Sequence, residues 1–343
     1  MPKPLTVAVI GLGYFSQFHL DAWAQRKDVR ITGLSDPDVA RRNWAAETYT
    51  VPVFPDLAAL LTTTDPDIVD IVAPPPTHLD LIRALARKNR ILICQKPFCQ
   101  GLAEAEEASK LADEAGATLI IHENFRFQPW YRTLKTVLDD GRLGQVWQCR
   151  FALRPGDGRG DDAYLSRQPA FRAMKRLLIH ETGVHFIDLF RWLFGDITGV
   201  YADLRQINPV LAGEDAAVLL LDHSSGVRTQ FDGNRLLDHA TDNPRRTMGE
   251  MLVEGATGTL RLDGQGRLFL RGFGARDETQ IPLIAPVDET SFGGGCVAAL
   301  IAHVAAAARG DGPFENEAHS YLPVIRATEA AYLSAETGQK QRL

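Results

Sequence analysis

The first third of the chain alternates short apolar runs with amphipathic segments. The apolar runs cover residues 5–10, 29–34, 68–73, 91–94 and 118–122, and they have the length and composition of buried strands. Between them, residues 38–48, 78–88 and 102–115 have the spacing of helices with one apolar face. Strands that alternate with helices predict a doubly wound parallel sheet of the Rossmann type, covered on both faces.

The pattern changes after residue 123. Helices are predicted at 128–140 and 181–194, and two Ala-rich helices, 294–309 and 319–337, close the chain. Between these helix pairs, apolar and polar residues alternate in six runs: 200–207, 216–221, 227–231, 251–254, 259–262 and 268–271. We therefore predict two α/β domains, residues 1–123 and 124–343, the second with a large open, mainly antiparallel sheet.

Composition excludes several classes of function. The 37 basic residues stand against 43 acidic ones, for a net charge of −6, which gives no electrostatic reason to expect a nucleic acid partner. No run approaches 18 apolar residues, so a membrane span is not expected. The four cysteines have no metal-ligand spacing, and no apolar leader precedes the first strand. We expect free thiols and a cytoplasmic protein.

The segment Gly11-Leu-Gly13-Tyr-Phe-Ser16 follows the first strand and opens a helix. Gly11 permits a tight turn, and Gly13 allows a pyrophosphate to approach the backbone. The amides at the start of the helix can bind its negative charge. Ser16 replaces the usual third glycine but is small enough for close packing. The segment predicts a dinucleotide site in residues 1–123.

Asp36 stands at the end of the second strand, 23 residues beyond Gly13. A carboxylate near this spacing binds ribose hydroxyls and repels a 2′-phosphate, which favours NAD over NADP. Arg41 and Arg42 on the following helix would weaken that preference. Alternatively, Asp36 is the N-cap of that helix, and the two roles are compatible.

The segment His180-Glu-Thr-Gly-Val-His-Phe-Ile-Asp188 carries candidate catalytic groups. In a helix, Glu181 and His185 share a face, so that the carboxylate can orient the imidazole, and Asp188 can pair with Arg191 or the imidazole. The alternative is a helix with one hydrogen-bonded histidine and surface ion pairs. Zinc ligation by His180, Glu181 and His185 is disfavoured by their loose spacing and the remote cysteines, so no metal is predicted.

Lys96 ends the strand 91–94 in the sequence Gln95-Lys96-Pro97. The carboxyl ends of parallel strands are where ligands bind in open sheets, which makes Lys96 a candidate site residue. The alternative is a lysine that extends from a loop into solvent, with Pro97 only ending the strand.

Together these features resemble the glucose-fructose oxidoreductase and inositol dehydrogenase family, also called Gfo/Idh/MocA. The ordered set carries the resemblance: Gly11-x-Gly13, Asp36, Ala73-Pro-Pro-Pro-Thr-His78, Lys96-Pro97, Asn124-x-Arg126-x-x-Pro129 and Glu181-x-Gly-x-His185-x-x-Asp188. The resemblance implies a nucleotide-binding domain followed by a substrate-binding and oligomerisation domain. It also implies oxidation of a sugar or cyclitol hydroxyl by hydride transfer to NAD.

The resemblance assigns Lys96, Glu181 and His185 to the catalytic group. His185 is expected to act as base, Lys96 to hold the reacting oxygen and Glu181 to orient His185, although Lys96 and His185 can exchange roles. The expected cofactor contacts are Gly11, Gly13, Tyr14, Phe15, Asp36, Pro74, His78, Gln95 and Lys96. The expected substrate contacts are Lys96, Arg126, Trp130, Arg154, Asp162, Arg172, His180, Glu181 and His185.

Three departures from the family pattern stand out. Gln95 replaces the glutamate that usually precedes the lysine, Pro75 replaces a common asparagine, and the usual glycine-rich run before Glu181 is absent. Residues 168–185 are similar to members that act on aldoses such as apiose.

The sequence is also compatible with two other functions. One is a closed redox cycle on bound NAD, used for glycoside cleavage or transfer between sugars, and the other is a non-catalytic NAD-binding regulator. The expected partners are a carbohydrate substrate and further copies of the chain, in a homodimer or homotetramer formed through the C-terminal sheet.

Overall fold

The computed structural model describes residues 3–343, which divide into two compact units. The first unit ends at Asn124 and also contains Val297–Leu322, and the second contains Phe125–Cys296 and Pro323–Leu343. The first boundary lies one residue from the one that the sequence predicts. The return of Val297–Leu322 to the first unit departs from the continuous range 124–343.

The chain forms nine α-helices within residues 3–343. They are α1 Ser16–Ala24, α2 Val39–Tyr49, α3 Leu57–Thr63, α4 His78–Leu85, α5 Leu102–Ala115, α6 Pro129–Asp139, α7 Val184–Phe194, α8 Cys296–Ala307 and α9 Ala318–Thr337. Helix α9 crosses the boundary between the units at Pro323.

The first unit is built on a six-stranded parallel sheet of order β3-β2-β1-β4-β5-β6. Its strands are β1 Leu5–Ile10, β2 Val29–Ser35, β3 Val53–Phe54, β4 Ile68–Ile71, β5 Ile91–Gln95 and β6 Thr118–His122. This is the strand order of the Rossmann fold, which brings the carboxyl ends of β1 and β4 together where the order reverses. The predicted doubly wound sheet is confirmed.

Val297–Leu322 completes the first unit at the β6 edge. Ile120 forms a bridge with Glu317, and the amide of Ile121 donates to the Asn316 carbonyl at 2.8 Å. The Asn316 side chain donates to the Glu123 carbonyl at 2.8 Å, and the Tyr321 hydroxyl lies 3.2 Å from the Glu123 carboxylate. The end of β6 is therefore fixed by residues almost 200 positions later in the chain.

The second unit contains a nine-stranded sheet of order β14-β13-β12-β11-β7-β10-β9-β8-β15, in which only β7 and β10 are parallel within residues 3–343. The strands are β7 Val146–Leu153, β8 Ile197–Arg205, β9 Ala216–His223, β10 Arg228–Asn234, β11 Gly249–Gly255, β12 Gly258–Leu262, β13 Leu268–Gly272, β14 Thr279–Ile281 and β15 Gln341–Arg342. The predicted open, mainly antiparallel sheet is confirmed.

Strand β7 was missed by the sequence reading although it lies at the centre of this sheet. Cys149, Phe151 and Leu153 are buried at every second position, and Gln148 and Arg150 on either side of Cys149 are exposed. Phe151 stacks on Phe186 of α7 with ring centroids 4.1 Å apart. This period-two pattern is the signal that would have predicted the strand.

One face of the second sheet is buried and the other is not. On the open face, Tyr201 of β8 pairs with Leu220 of β9, and Val218 is 36% exposed. Arg150 and Glu250 add charges to this face. In residues 3–343, no helix is long and apolar enough to cross a membrane.

Candidate active site

The glycine turn after β1 has the geometry that its sequence predicts. Gly11 has φ +91°, and a Cβ there would lie 2.6 Å from the Ala73 nitrogen, so only glycine fits beside the backbone after β4. A Cβ on Gly13 would meet nothing within 4 Å. The turn is thus closed on the Gly11 side and open at Gly13, where a ligand can approach the start of α1.

A surface cleft of ≈ 370 Å³ adjoins this turn. Its lining comes from the starts of α1 and α2: Leu12, Gly13, Tyr14, Gln17, Ala40, Arg41 and Trp44. Tyr14 therefore lies where a bound nucleotide would contact it. Phe15 packs instead against the ring of His19, with centroids 5.6 Å apart.

Asp36 is buried at the back of the turn. Its carboxylate accepts hydrogen bonds from the amides of Leu12 and Asp38, at 2.7 and 2.8 Å, and lies 3.6 Å from the Arg41 guanidinium. The alternative that Asp36 caps α2 is wrong, because the side chain of Asp38 accepts from the amides of Ala40 and Arg41. The open glycine turn, the cleft and this carboxylate fit a dinucleotide with free ribose hydroxyls.

Arg42 does not face the cleft as a free cation. Its guanidinium donates to the carbonyls of Asp36 and Pro37, at 2.6 and 2.8 Å. Of the two arginines expected to weaken the preference for NAD, only Arg41 lines the cleft.

Lys96 follows β5 in a turn with a cis Lys96–Pro97 peptide bond. The Gln95 side chain holds this turn: its Oε1 accepts from the Lys96 amide at 3.0 Å, and its Nε2 lies 2.9 Å from His19 Nε2. His19 Nδ1 in turn lies 2.8 Å from a carboxylate oxygen of buried Asp70, which also accepts from Trp23. Gln95 thus contributes to the site by fixing the Lys96 backbone.

The Gln95 amide sets the direction of every hydrogen bond in this chain of groups. Because Oε1 must accept from the Lys96 amide, Nε2 must donate to His19 Nε2. His19 is then the Nδ1–H tautomer and donates to Asp70. A neutral amide and a neutral imidazole therefore connect the lysine turn to the buried carboxylate.

His78, predicted to contact the cofactor, lies in the interior of the first unit. Its ring is fully buried, Nε2 bonds the Ala73 carbonyl at 2.8 Å, and Nδ1 accepts from the Cys99 amide at 3.4 Å. Burial lowers the pKa of His78, which keeps the ring neutral. His78 connects the segment after β4, where Pro74 precedes a short 3₁₀ turn, to the segment that follows Lys96.

The predicted helix 181–194 is two elements. Leu178–Gly183 is a π-helix that leads directly into α7, and π segments are frequent at functional sites. Its first amides are bound by buried groups: those of Leu177 and Ile179 donate to the Glu214 carboxylate, and that of His180 donates to the Tyr332 hydroxyl. Tyr332 donates in turn to Glu214 at 2.6 Å. This support fixes the backbone on which Glu181 stands.

Glu181 lies at the middle of the π-helix and is largely buried. Its Oε2 accepts from the Thr182 hydroxyl at 2.5 Å and lies 3.6 Å from Nη1 of Arg235. Arg235 follows β10 and is almost completely buried. The carboxylate is therefore held by a hydroxyl and a buried cation.

His185 lies in the first turn of α7 and is buried. Its ring stacks on Phe125, with centroids 3.9 Å apart and planes at 1°. Arg126 donates to both oxygens of Asp188, at 2.6 and 2.5 Å. Of the two partners expected for Asp188, Arg191 and the His185 imidazole, Arg191 forms an ion pair with Asp196. Arg126, expected at the substrate, is buried in this ion pair and positions α7.

The remaining predicted substrate residues separate into buried and accessible ones. Trp130 is completely buried against Gly266 and Gly294 and packs in the core. Arg154 bonds Asp232 at 2.6 Å, and Arg172 donates to the Asp161 carbonyl. Asp162 is exposed, and His180 is half-buried on the π-helix.

The residues that support Glu181 were not predicted from the sequence. Asp157, Thr182, Glu214 and Arg235 lie 21 to 78 residues from one another and form no recognisable motif. Only Arg235 gave a signal, a charge directly after the strand residues Phe231-Asp-Gly-Asn. A buried charge is rarely without a partner, but the sequence does not name that partner.

The folds of the two units and the residues described in each define a class, the NAD-binding oxidoreductases. The family model described as "Oxidoreductase family, NAD-binding Rossmann fold" matches residues 5–123, and the "GFO/IDH/MocA C-terminal domain" matches residues 131–261. The chain belongs to the Gfo/Idh/MocA family, and NAD is its cofactor.

Named relatives extend the comparison. The chain is 33% identical to a D-apiose dehydrogenase from Paraburkholderia graminis, over 98% of this chain and 89% of that protein. It is 24% identical to an inositol 2-dehydrogenase from Rhizobium meliloti, over 75% of each chain. An oxidoreductase from Agrobacterium radiobacter, solved with NAD⁺, L-tartaric acid and magnesium, superposes with a TM-score of 0.89 and is 28% identical, over 99% of this chain and 98% of that one.

Proposed function

We propose that this NAD-dependent sugar or polyol dehydrogenase oxidises an aldose of the apiose type, with His185 as base, Lys96 as donor to the reacting oxygen and Glu181 as the group that orients His185. Bound NAD supplies the hydride acceptor. The chain's own residues manage the proton, since hydride leaves a carbinol carbon only as its hydroxyl loses a proton. The Lys96 ammonium stabilises the negative charge that develops on that oxygen.

The observation that carries the proposal is the rigid support of all three residues. The Lys96 backbone is held by Gln95, the Glu181 carboxylate by Thr182 and Arg235, and the His185 ring by Phe125. Catalytic groups need such fixed positions, because small displacements cost large factors in rate. A regulator that only binds NAD needs no base and no fixed carboxylate.

The substrate is tested by a screen of aldoses, aldonates and cyclitols with NAD and NADP, following the absorbance of the reduced nicotinamide. D-Apiose is expected to be among the best substrates, because the D-apiose dehydrogenase match covers almost the whole chain. A closed redox cycle would consume sugar without accumulating NADH. No turnover with any sugar, together with tight NAD binding, would favour the regulator.

The catalytic assignment is tested with Lys96→Met and His185→Ala. Each should reduce kcat by at least about 100-fold, because general-base and oxyanion contributions are each of that order. NAD binding, followed by quenching of tryptophan fluorescence, should stay within a few-fold of wild type. Wild-type kcat in either variant would show that the assignment of that residue is wrong.

We propose further that the first unit binds the dinucleotide, that residues 124–343 bind substrate, and that copies of the chain associate through the open face of the second sheet. Tyr201, Val218 and Leu220 support this association, since adjacent apolar side chains on an open sheet face are commonly covered by a partner. Sedimentation equilibrium tests for a dimer or tetramer. The four free, buried cysteines fit the predicted cytoplasmic location.

A further inference from the structure

Arg235 is the most completely enclosed cation among the described residues that surround Glu181. It is 1% exposed, and its guanidinium lies over the rings of Tyr164 and Phe171, 5.2 and 5.7 Å from their centroids. Burying a guanidinium so fully is costly unless every N–H edge finds an acceptor. The two N–H edges of the Arg235 guanidinium point toward different carboxylates.

The first edge faces Asp157. Nε and Nη2 of Arg235 donate to the two carboxylate oxygens at 3.1 and 3.0 Å, in a bidentate pair. Asp157 also accepts from the Tyr164 hydroxyl and from Arg167, both at 3.1 Å. One carboxylate thus connects Arg235 to the segment 157–167.

The same segment is held at its backbone. The Gly158 amide donates to the Arg235 carbonyl at 3.0 Å, and the Asn208 side chain donates to the carbonyls of Gly158 and Gly160, at 2.8 and 2.9 Å. The predicted substrate residues Asp162 and Arg172 lie just beyond these anchors. Their positions therefore depend on a loop organised around Arg235.

The second edge of Arg235 faces Glu181 through Thr182. Nη1 donates to the Thr182 hydroxyl oxygen at 2.7 Å, and that hydroxyl lies 2.5 Å from Glu181 Oε2. The direction of the bonds is fixed by chemistry. A guanidinium can only donate hydrogen bonds, so the Thr182 hydroxyl accepts one from Arg235 and donates one to Glu181.

We propose that Arg235 and Thr182 are positioning residues for the reaction, and that they couple the ordering of the loop 157–172 to the orientation of the Glu181 carboxylate. The inference rests on the proposed catalytic role of Glu181. The Thr182 hydroxyl holds Oε2 in one rotamer, and Arg235 polarises that hydroxyl. A substrate held by the loop therefore meets a carboxylate that is already aligned.

Thr182 offers a matched pair of variants. Thr182→Val keeps the shape and removes the hydroxyl, whereas Thr182→Ser keeps the hydroxyl and removes the methyl group. Each is assayed with the sugar that reduces NAD fastest in the screen above, and thermal unfolding and NADH binding are measured in parallel. Thr182→Ala, which also lacks the hydroxyl, replaces the valine variant if that one does not fold.

Loss of the hydroxyl should lower kcat on the order of 10-fold, the usual effect of removing a hydrogen bond to a charged group. KM and NADH affinity should change less than about two-fold, and Thr182→Ser should restore kcat. A valine variant with wild-type kcat overturns the proposal and leaves the dehydrogenase assignment intact. So does a serine variant as slow as the valine one. Absence of turnover in the wild-type protein would instead overturn the proposed function.

Discussion

Lys96 and Glu181, one in each unit, are held in place by opposite kinds of chemistry. The groups nearest Lys96 are neutral: the Gln95 amide, the His19 imidazole, which separates it from the Asp70 carboxylate, and the His78 ring. Glu181 is supported by ionised ones, with Arg235 between its own carboxylate and that of Asp157. The two arrangements respond differently to the loss of one member.

The difference follows from the cost of burying charge. Removing one partner from a neutral hydrogen bond leaves one unsatisfied dipole. Removing the cation from a buried ionic group leaves two carboxylates that repel each other in a medium of low polarity. Gln95 replaces the glutamate that is usual in the family, so no carboxylate faces His19 at this position. The lysine support should therefore tolerate substitution better than the glutamate support.

The largest expected effect comes from Arg235→Met. The change keeps much of the side-chain volume but leaves Asp157 and Glu181 without their shared cation, so the free energy of unfolding should fall by about 3 kcal/mol. Urea denaturation followed by circular dichroism measures it. As a control, Arg176→Met breaks the exposed pair with Glu329 and should cost less than about 1 kcal/mol. Equal losses in the two variants would contradict the ionic reading.

A smaller effect is expected from Gln95→Leu in the neutral support. The Lys96 amide and His19 Nε2 each lose a partner, which should lower the free energy of unfolding by about 1 to 3 kcal/mol. The matched control is Gln148→Leu, whose amide bonds Glu254 on an exposed strand face and should be nearly neutral. A loss for Gln95→Leu larger than that of Arg235→Met would reverse the comparison between the two supports.

The smallest effect concerns pH. Burial lowers the pKa of His78 below its ordinary 6.5, and does the same for His223 in the second unit. Below about pH 6.5 the unfolded chain therefore binds protons that the folded chain does not. The contribution of these two histidines to the free energy of unfolding is fully present above this pH and is lost as the pH decreases.

For His78 alone, the loss between pH 7 and 6 is at most about 0.7 kcal/mol. His78→Gln can donate to Ala73 and accept from Cys99 without titrating, so the difference in unfolding free energy between the two pH values should shrink by up to that amount. If this difference is the same in the variant and the wild type, folding does not lower the pKa of His78 as its burial predicts.

Local patterns predicted the first unit well and the site in part. Helix α5 and strand β6 begin and end where the sequence places them, because their periodicity is strong and their ends carry clear signals. The glycine turn and Lys96 were found because the carboxyl ends of parallel strands meet at one edge. The burial of His78, Trp130 and Arg126 could not be predicted, because the identity of a polar or aromatic residue beside a motif does not show whether it faces a ligand or a buried partner.

The residues that support Glu181 could not be predicted from local patterns, for a different reason. Arg235, Asp157 and Thr182 meet only once a nine-stranded sheet has brought the end of β10 beside the loop after β7. That parallel pairing depends on the one central strand that the sequence reading missed. Contacts of this kind are set by tertiary structure, and no local pattern records them.

The return of Val297–Leu322 to the first unit also bears on protein synthesis. Glu123 at the end of β6 has partners in Asn316 and Tyr321, which the ribosome adds only after the whole second sheet apart from its last short strand. The nucleotide-binding unit is therefore the first to start emerging from the ribosome but cannot be finished until most of the other unit has been made. During translation, the edge of β6 therefore stays unpaired with the segment 297–322 for roughly ten seconds or more of elongation.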